Sequence, residues 1–193
     1  MKSFNQELKS ALVAEIRKHR EQDQVIQGNY GYFEEGKFRG CAVGCAIDSL
    51  FRLGGNILPH YPSGDHGAYE LELGIPKILA ELQDVIHEGL SDESFPTWPE
   101  RFMEAVPTET ELSIVFPKFA WWLSYYLLKC YSEDKVAIVV GQLLRACSPV
   151  GIRKDIDKAL RGADTVLGGN EQFYEKCAEK LIELLKAEGN ERI

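Results

Sequence analysis

The chain has 193 residues, 45% of them apolar and three of them tryptophan, enough for one domain with a proper core and too much for low-complexity disorder. Its formal net charge is −8, the wrong sign for a surface that neutralises phosphates, so direct nucleic-acid binding is not expected. No apolar run reaches membrane-spanning length, the start of the chain does not read as a secretion signal, and the five cysteines form no disulfide framework; a cytoplasmic protein is expected.

The charge is uneven. Residues 1–58 carry eight Lys/Arg and seven Asp/Glu, residues 59–150 six and fourteen, and residues 151–193 eight and nine. The acidic excess of the middle segment points to a protein partner there. The basic cluster Arg17-Lys18-His19-Arg20 reads as the solvated face of a helix.

In chain order, Ser3 with Gln6 has capping-box spacing and opens a helix. Leu8, Leu12, Ile16 and His19 form one stripe of it, which puts His19 on or near the buried face. The stretch Gln27–Cys45 follows, QGNYGYFEEGKFRGCAVGC. Tyr30–Glu34 and Lys37–Ala42 read as two short strands joined at Glu35-Gly36, a hairpin within about residues 29–43. After Gly44 the period changes to that of a short helix ended by Gly54-Gly55, which places Cys45 in or just before the first turn. Unpaired N–H groups at such a position favour an anion and can lower a thiol's pKa.

Residues 54–74 hold Pro59, Pro62, Gly64 and Gly67 together with His60, Tyr61, Asp65, His66 and Tyr69, and read as a long loop. Gly74-Ile75-Pro76 opens an amphipathic helix whose apolar face runs from Ile75 to Gly89. His87 falls off that stripe and is expected to face water. A short helix from Trp98 ends at Pro107, and Thr108-x-x-Glu111 repeats the capping-box spacing ahead of Leu112–Phe116 and Pro117. Lys118–Tyr131 is apolar almost all round, which predicts a helix in the middle of the domain. Asp134–Cys147 reads as a buried helix, with a strand at Val136–Val140 as the alternative. Ile152–Arg161 and a last helix capped by Asn170 complete the chain.

Gln27-Gly28, the aromatics and Gly40-Cys41-Ala42-Val43-Gly44-Cys45 resemble a group of bacterial and phage-associated proteins. Further matches lie at Leu73-Gly74-Ile75-Pro76, Trp98-Pro99-Glu100-Arg101-Phe102 and Phe116-Pro117. The resemblance covers about the first two-thirds of the chain and implies a family without supplying an activity.

The whole is expected to be mainly α, a single-domain helical bundle over residues 1–193 with a small N-terminal hairpin. Three function classes compete. A helical interaction or accessory protein without catalysis is favoured, since packing, caps and turns explain most informative residues. No phosphate-binding glycine loop is visible, and no cofactor is expected. A thiol enzyme would use Cys45, or Cys41, as nucleophile with His60, His66 or His19 as base. A structural zinc site would draw on Cys41, Cys45, His60 and His66, at spacings at or just outside the usual range.

Overall fold

A computed structural model describes residues 4–54, 65–130, 133–147, 153–167 and 172–190. Their order is α1 (Gln6–Glu21), β1 (Tyr32–Glu34), β2 (Lys37–Arg39), α2 (Ala42–Leu53), α3 (Gly67–Leu73), α4 (Lys77–Gly89), a 3-10 turn at Phe95–Thr97, α5 (Trp98–Ala105), α6 (Val115–Cys130), α7 (Glu133–Ala146), α8 (Arg153–Val166) and α9 (Phe173–Asn190). The protein is mainly α, with one small antiparallel hairpin near its start. No helix among the described residues is long and apolar enough to cross a membrane.

Local chemistry explains where these elements begin. The expected cap at Ser3 lies outside the described residues. Asn5 caps α1 instead, its Oδ1 accepting from the Leu8 N–H at 2.9 Å. In the hairpin, Glu35 and Gly36 both take positive φ, 50° and 79°, the backbone that a two-residue turn between twisted strands requires. The strands are shorter than the composition suggests. Beyond Arg39 the chain leaves β1, and Gly40 bridges to Val25 instead. The expected capping box at Thr108 does not form; α6 starts at Val115, and Glu111 accepts from the Ser113 N–H at 2.9 Å. Pro117 sits in the first turn of α6, where its missing N–H costs nothing.

The central helix is α4, which packs against α2, α3, α5, α6, α8 and α9. Its apolar face buries Leu79, Leu82, Val85 and Ile86, and its polar face buries Glu81, Gln83, Asp84 and His87 as well. That overturns the expectation for His87. The helical angle was right, but the polar face of α4 meets more protein rather than water. His87 Nε2–H donates to the Ile26 carbonyl at 2.9 Å, and its ring edge meets Phe95 at 5.5 Å.

The aromatic helix corrects a second expectation. Val115, Phe116, Phe119, Leu123 and Leu127 of α6 point inward, whereas Trp121, Tyr125 and Leu128 stand 70%, 49% and 50% exposed. Neighbours pack on one side of α6, so all-round apolar composition does not make it central. The run Asp134–Cys147 is helical as far as Ala146, with no strand at 136–140.

Candidate functional site

The first turn of α2 is the hinge of the site. It packs backbone against backbone under the chain that enters the hairpin: a Cβ on Gly44 would stand 1.5 Å from the Tyr30 carbonyl oxygen. Only a residue without a side chain fits there. Cys41 takes the N-cap position of α2 in extended conformation (φ −69°, ψ −177°). Cys45 comes a full turn later, and its N–H is already bonded to the Cys41 carbonyl at 2.9 Å. The helix start therefore belongs to Cys41, four residues before the expected Cys45.

From this turn the two thiols diverge into different surroundings. Cys41 joins the main core, and Cys45 joins a small cluster with Val25 and Phe38. Each meets a histidine–aspartate pair.

The inner cluster lies between α2, α3 and α4. Cys41 faces the Asp84 carboxylate, and His66, at the start of α3, places Nε2 3.2 Å from Asp84 Oδ2. Tyr30 covers His66 edge-on, ring centroids 5.7 Å apart. The Tyr69 hydroxyl and the Gln83 amide are neighbours buried beside the cluster, and they stand off hydrogen-bond geometry. Burial pushes the Cys41 thiol far above its ordinary value and Asp84 adds to the rise, while the N–H groups of Gly44 and Val43 pull it back. Burial likewise raises the Tyr69 phenol well above its usual value.

The outer cluster ties α1 to α2. His19 Nδ1 meets Gln24 Oε1 at 2.6 Å, and Nε2 lies 3.3 Å from Asp48 Oδ2, an ion-pair distance off the hydrogen-bond line. Arg52 Nε donates to the same Asp48 oxygen at 2.6 Å. The Cys45 thiol donates to the Gly40 carbonyl at 3.3 Å. Burial, with Asp48 second, raises its pKa too. Both thiols are thus held in the protonated form, the opposite of an activated thiolate.

Of the residues singled out in the sequence, the structure brings Cys41 to His66 through Asp84, and Cys45 toward His19 through Asp48. It does not gather Cys41, Cys45 and His66 into one set: among the described residues, no three His, Cys, Asp or Glu side chains are arranged to hold a metal ion. His60 lies outside the described residues. The sequence offers Asp48 or Asp65 to orient a histidine, and Asp48 does lie beside His19, whereas Asp65 accepts from the Gly67 N–H. Asp84 was missed because it sits on the polar face of an amphipathic helix, which reads as solvent. Gln27 was quoted only as part of a motif; its Nε2 donates to the carbonyls of His87 and Leu90 at 2.7 and 3.0 Å, locking the hairpin entrance to the end of α4.

The exposed counterpart is the outer stripe of α6. Ile114, Pro117, Trp121, Tyr125 and Leu128 recur at helical spacing and all face outward. Trp121 and Tyr125 stack face to face, 5.6 Å apart at an interplanar angle of 2°, and Lys129 lies over the Tyr125 ring at 4.5 Å. Beside the stripe, Ile114, Pro117, Trp121 and Trp122 join Leu184 and Lys180 of α9 around a groove of about 410 Å³. No protein-family model, curated protein or solved structure matches the chain.

Proposed function

We propose that the protein is a helical interaction module that docks another protein on the outer face of α6 and performs no catalysis of its own. The observation that carries this reading is the Trp121–Tyr125 stack, held open to water on a helix whose opposite face is core. Large aromatics exposed in a row are what a monomer's surface ordinarily avoids, and tryptophan and tyrosine dominate the energetics of protein interfaces. The site lies in the acidic middle segment, although the face itself is apolar. The resemblance to phage-associated proteins suits an accessory role for such a module, acting in the cytoplasm. A thiol-enzyme reading draws less support, because both hairpin cysteines are buried and kept protonated.

The test is a photo-crosslinking amino acid, benzoylphenylalanine, placed at Tyr125 in cells that make the protein. The control is the same group at Leu71 of α3, exposed to a similar degree at 64%. A discrete adduct with a different protein, formed from position 125 and not from 71, supports docking on α6. Adducts of equal yield from both positions, or none from either, overturn it.

A further inference from the structure

The groove and stripe that the docking reading rests on also carry information about what docks. α6 contains Lys118 and Lys129 and no carboxylate in a chain whose net charge is −8. α9 adds Lys176 and Lys180 along the same edge. Lys118 and Lys180 are held by Glu188 and Glu183 of α9. Among the described residues, Lys129 instead rests on the Tyr125 ring at 4.5 Å, and Lys176 reaches Tyr126, 5.7 Å from the ring centroid and donating to the hydroxyl oxygen at 3.4 Å. A cation on an aromatic face keeps its capacity for a carboxylate, and at an apolar interface that pairing gains strength as water is excluded.

We infer that the occupant of this face is an amphipathic helix of another protein whose apolar ridge enters the α6–α9 groove and whose flanking Asp or Glu residues reach Lys129 and Lys176. A helix matches the shape. The exposed positions 114, 117, 121, 125 and 128 form a straight row of side chains, with a trough beside it into which the ridge of a second helix fits. A second copy of this chain fits poorly, because its α6 would bring no carboxylate to Lys129 and Lys176. An anionic lipid surface fits poorly too. The stripe is concave on its α9 side, and the whole molecule is strongly acidic.

The probes are two fluorescein-labelled helical peptides of roughly 18 residues, about five turns. They share an apolar ridge of leucine and phenylalanine; one is flanked by glutamate and the other by lysine. Anisotropy against the full chain at about 0.15 M salt is expected to show the glutamate peptide binding at least about tenfold more tightly. Trp121→Asp should abolish that binding. Lys129→Glu should weaken it about tenfold and narrow the gap between the peptides. Circular dichroism checks that both variants stay folded, as exposed positions should. Equal or tighter binding of the lysine peptide through Trp121 overturns the acidic-helix inference and leaves docking on α6 standing. Failure of both peptides beside a positive crosslink at Tyr125 shows that the occupant is not such a helix. Failure of both with a negative crosslink removes the docking reading itself. A dimer in sedimentation that Trp121→Asp dissolves, or binding to phosphatidylglycerol vesicles that the same variant abolishes, overturns the inference in favour of a second copy or a lipid surface.

Discussion

The two thiol–histidine–aspartate clusters differ more than their composition suggests. Both grow from one turn of α2, and both pair an imidazole with a carboxylate at nearly the same distance, 3.3 Å outside and 3.2 Å inside. The outer aspartate, Asp48, is 9% exposed and shared with the Arg52 guanidinium. Its histidine has a second partner in Gln24. The inner aspartate, Asp84, is 1% exposed and sits among Cys41, His66, Tyr69 and Gln83, two of which bring polar atoms without hydrogen bonds. The same three residue types therefore build a clasp tied to a partly exposed guanidinium in one place and a knot sealed inside the protein in the other. Burying polar groups that lack partners costs roughly 1–3 kcal/mol each, and the inner cluster carries more of them, the Tyr69 hydroxyl and the Gln83 amide, than the outer cluster with His19 Nε2.

The largest effect is expected where the two clusters join. Gly44→Ala drives a methyl group into the Tyr30 carbonyl at 1.5 Å, backbone against backbone, with no flexible side chain to give way. A loss of about 4 kcal/mol or outright failure to fold is expected, in the class of severe backbone clashes. Gly141→Ala in α7 is the control. Its Cβ meets only the tip of Arg145 at 3.9 Å, and the change should stabilise by up to about 1 kcal/mol. Urea midpoints that move alike for both variants would show that the α2 turn is not packed as described.

Removing each carboxylate comes next. Asp84→Asn is expected to cost about 3 kcal/mol, because it breaks a buried pair and leaves His66 and Cys41 to a weaker acceptor. Asp48→Asn, near solvent, should cost about 1 kcal/mol or less. Equal losses in chemical denaturation would erase the distinction between knot and clasp.

A third effect is set by pH. Burial lowers the pKa of His87 below 6.5, partly offset by its bond to the Ile26 carbonyl. The unfolded chain then binds a proton that the folded chain does not. Stability is therefore full above about pH 6.5 and is lost as pH falls from there toward the lowered folded value. His87→Gln keeps a donor for Ile26 and removes the titration. The urea midpoint of this variant should fall less than that of the parent between about pH 7.5 and pH 5.5. A variant with the same or a steeper fall would place the acid sensitivity elsewhere.

Much of the architecture was legible in the sequence because helices announce themselves by period, and the hairpin by Glu35-Gly36. What was not legible concerns which side of a helix meets the rest of the protein. The period of α4 correctly separates Leu82 from His87, but a strand of polar positions looks the same whether it faces water or the hairpin entrance at Ile26. Conversely, α6 is apolar almost all round, and nothing in its pattern distinguishes Phe119, which is core, from Trp121, which is 70% exposed. The glycines around Cys41 and Cys45 marked the right turn. They pointed to Cys45 where Cys41 is the cap, since a shift of one helical turn preserves the face.

The smallest expected effect is also the sharpest on the inner cluster. Tyr69→Phe removes one buried hydroxyl and keeps the ring that packs against the core of α2 and α4. Were the hydroxyl a working strut of the fold, its loss would cost about 1 kcal/mol, the usual net worth of one hydrogen bond. Because it makes no hydrogen bond while its phenol is held neutral by burial, the change should be neutral or stabilising by up to about 1 kcal/mol. Asp48 offers no such gain, because the Arg52 guanidinium donates to its carboxylate at 2.6 Å. A Tyr69→Phe protein destabilised by as much as an ordinary hydrogen bond would mean that the hydroxyl is satisfied after all. The inner cluster would then be a second clasp, and the energetic contrast between the two sides of α2 would vanish.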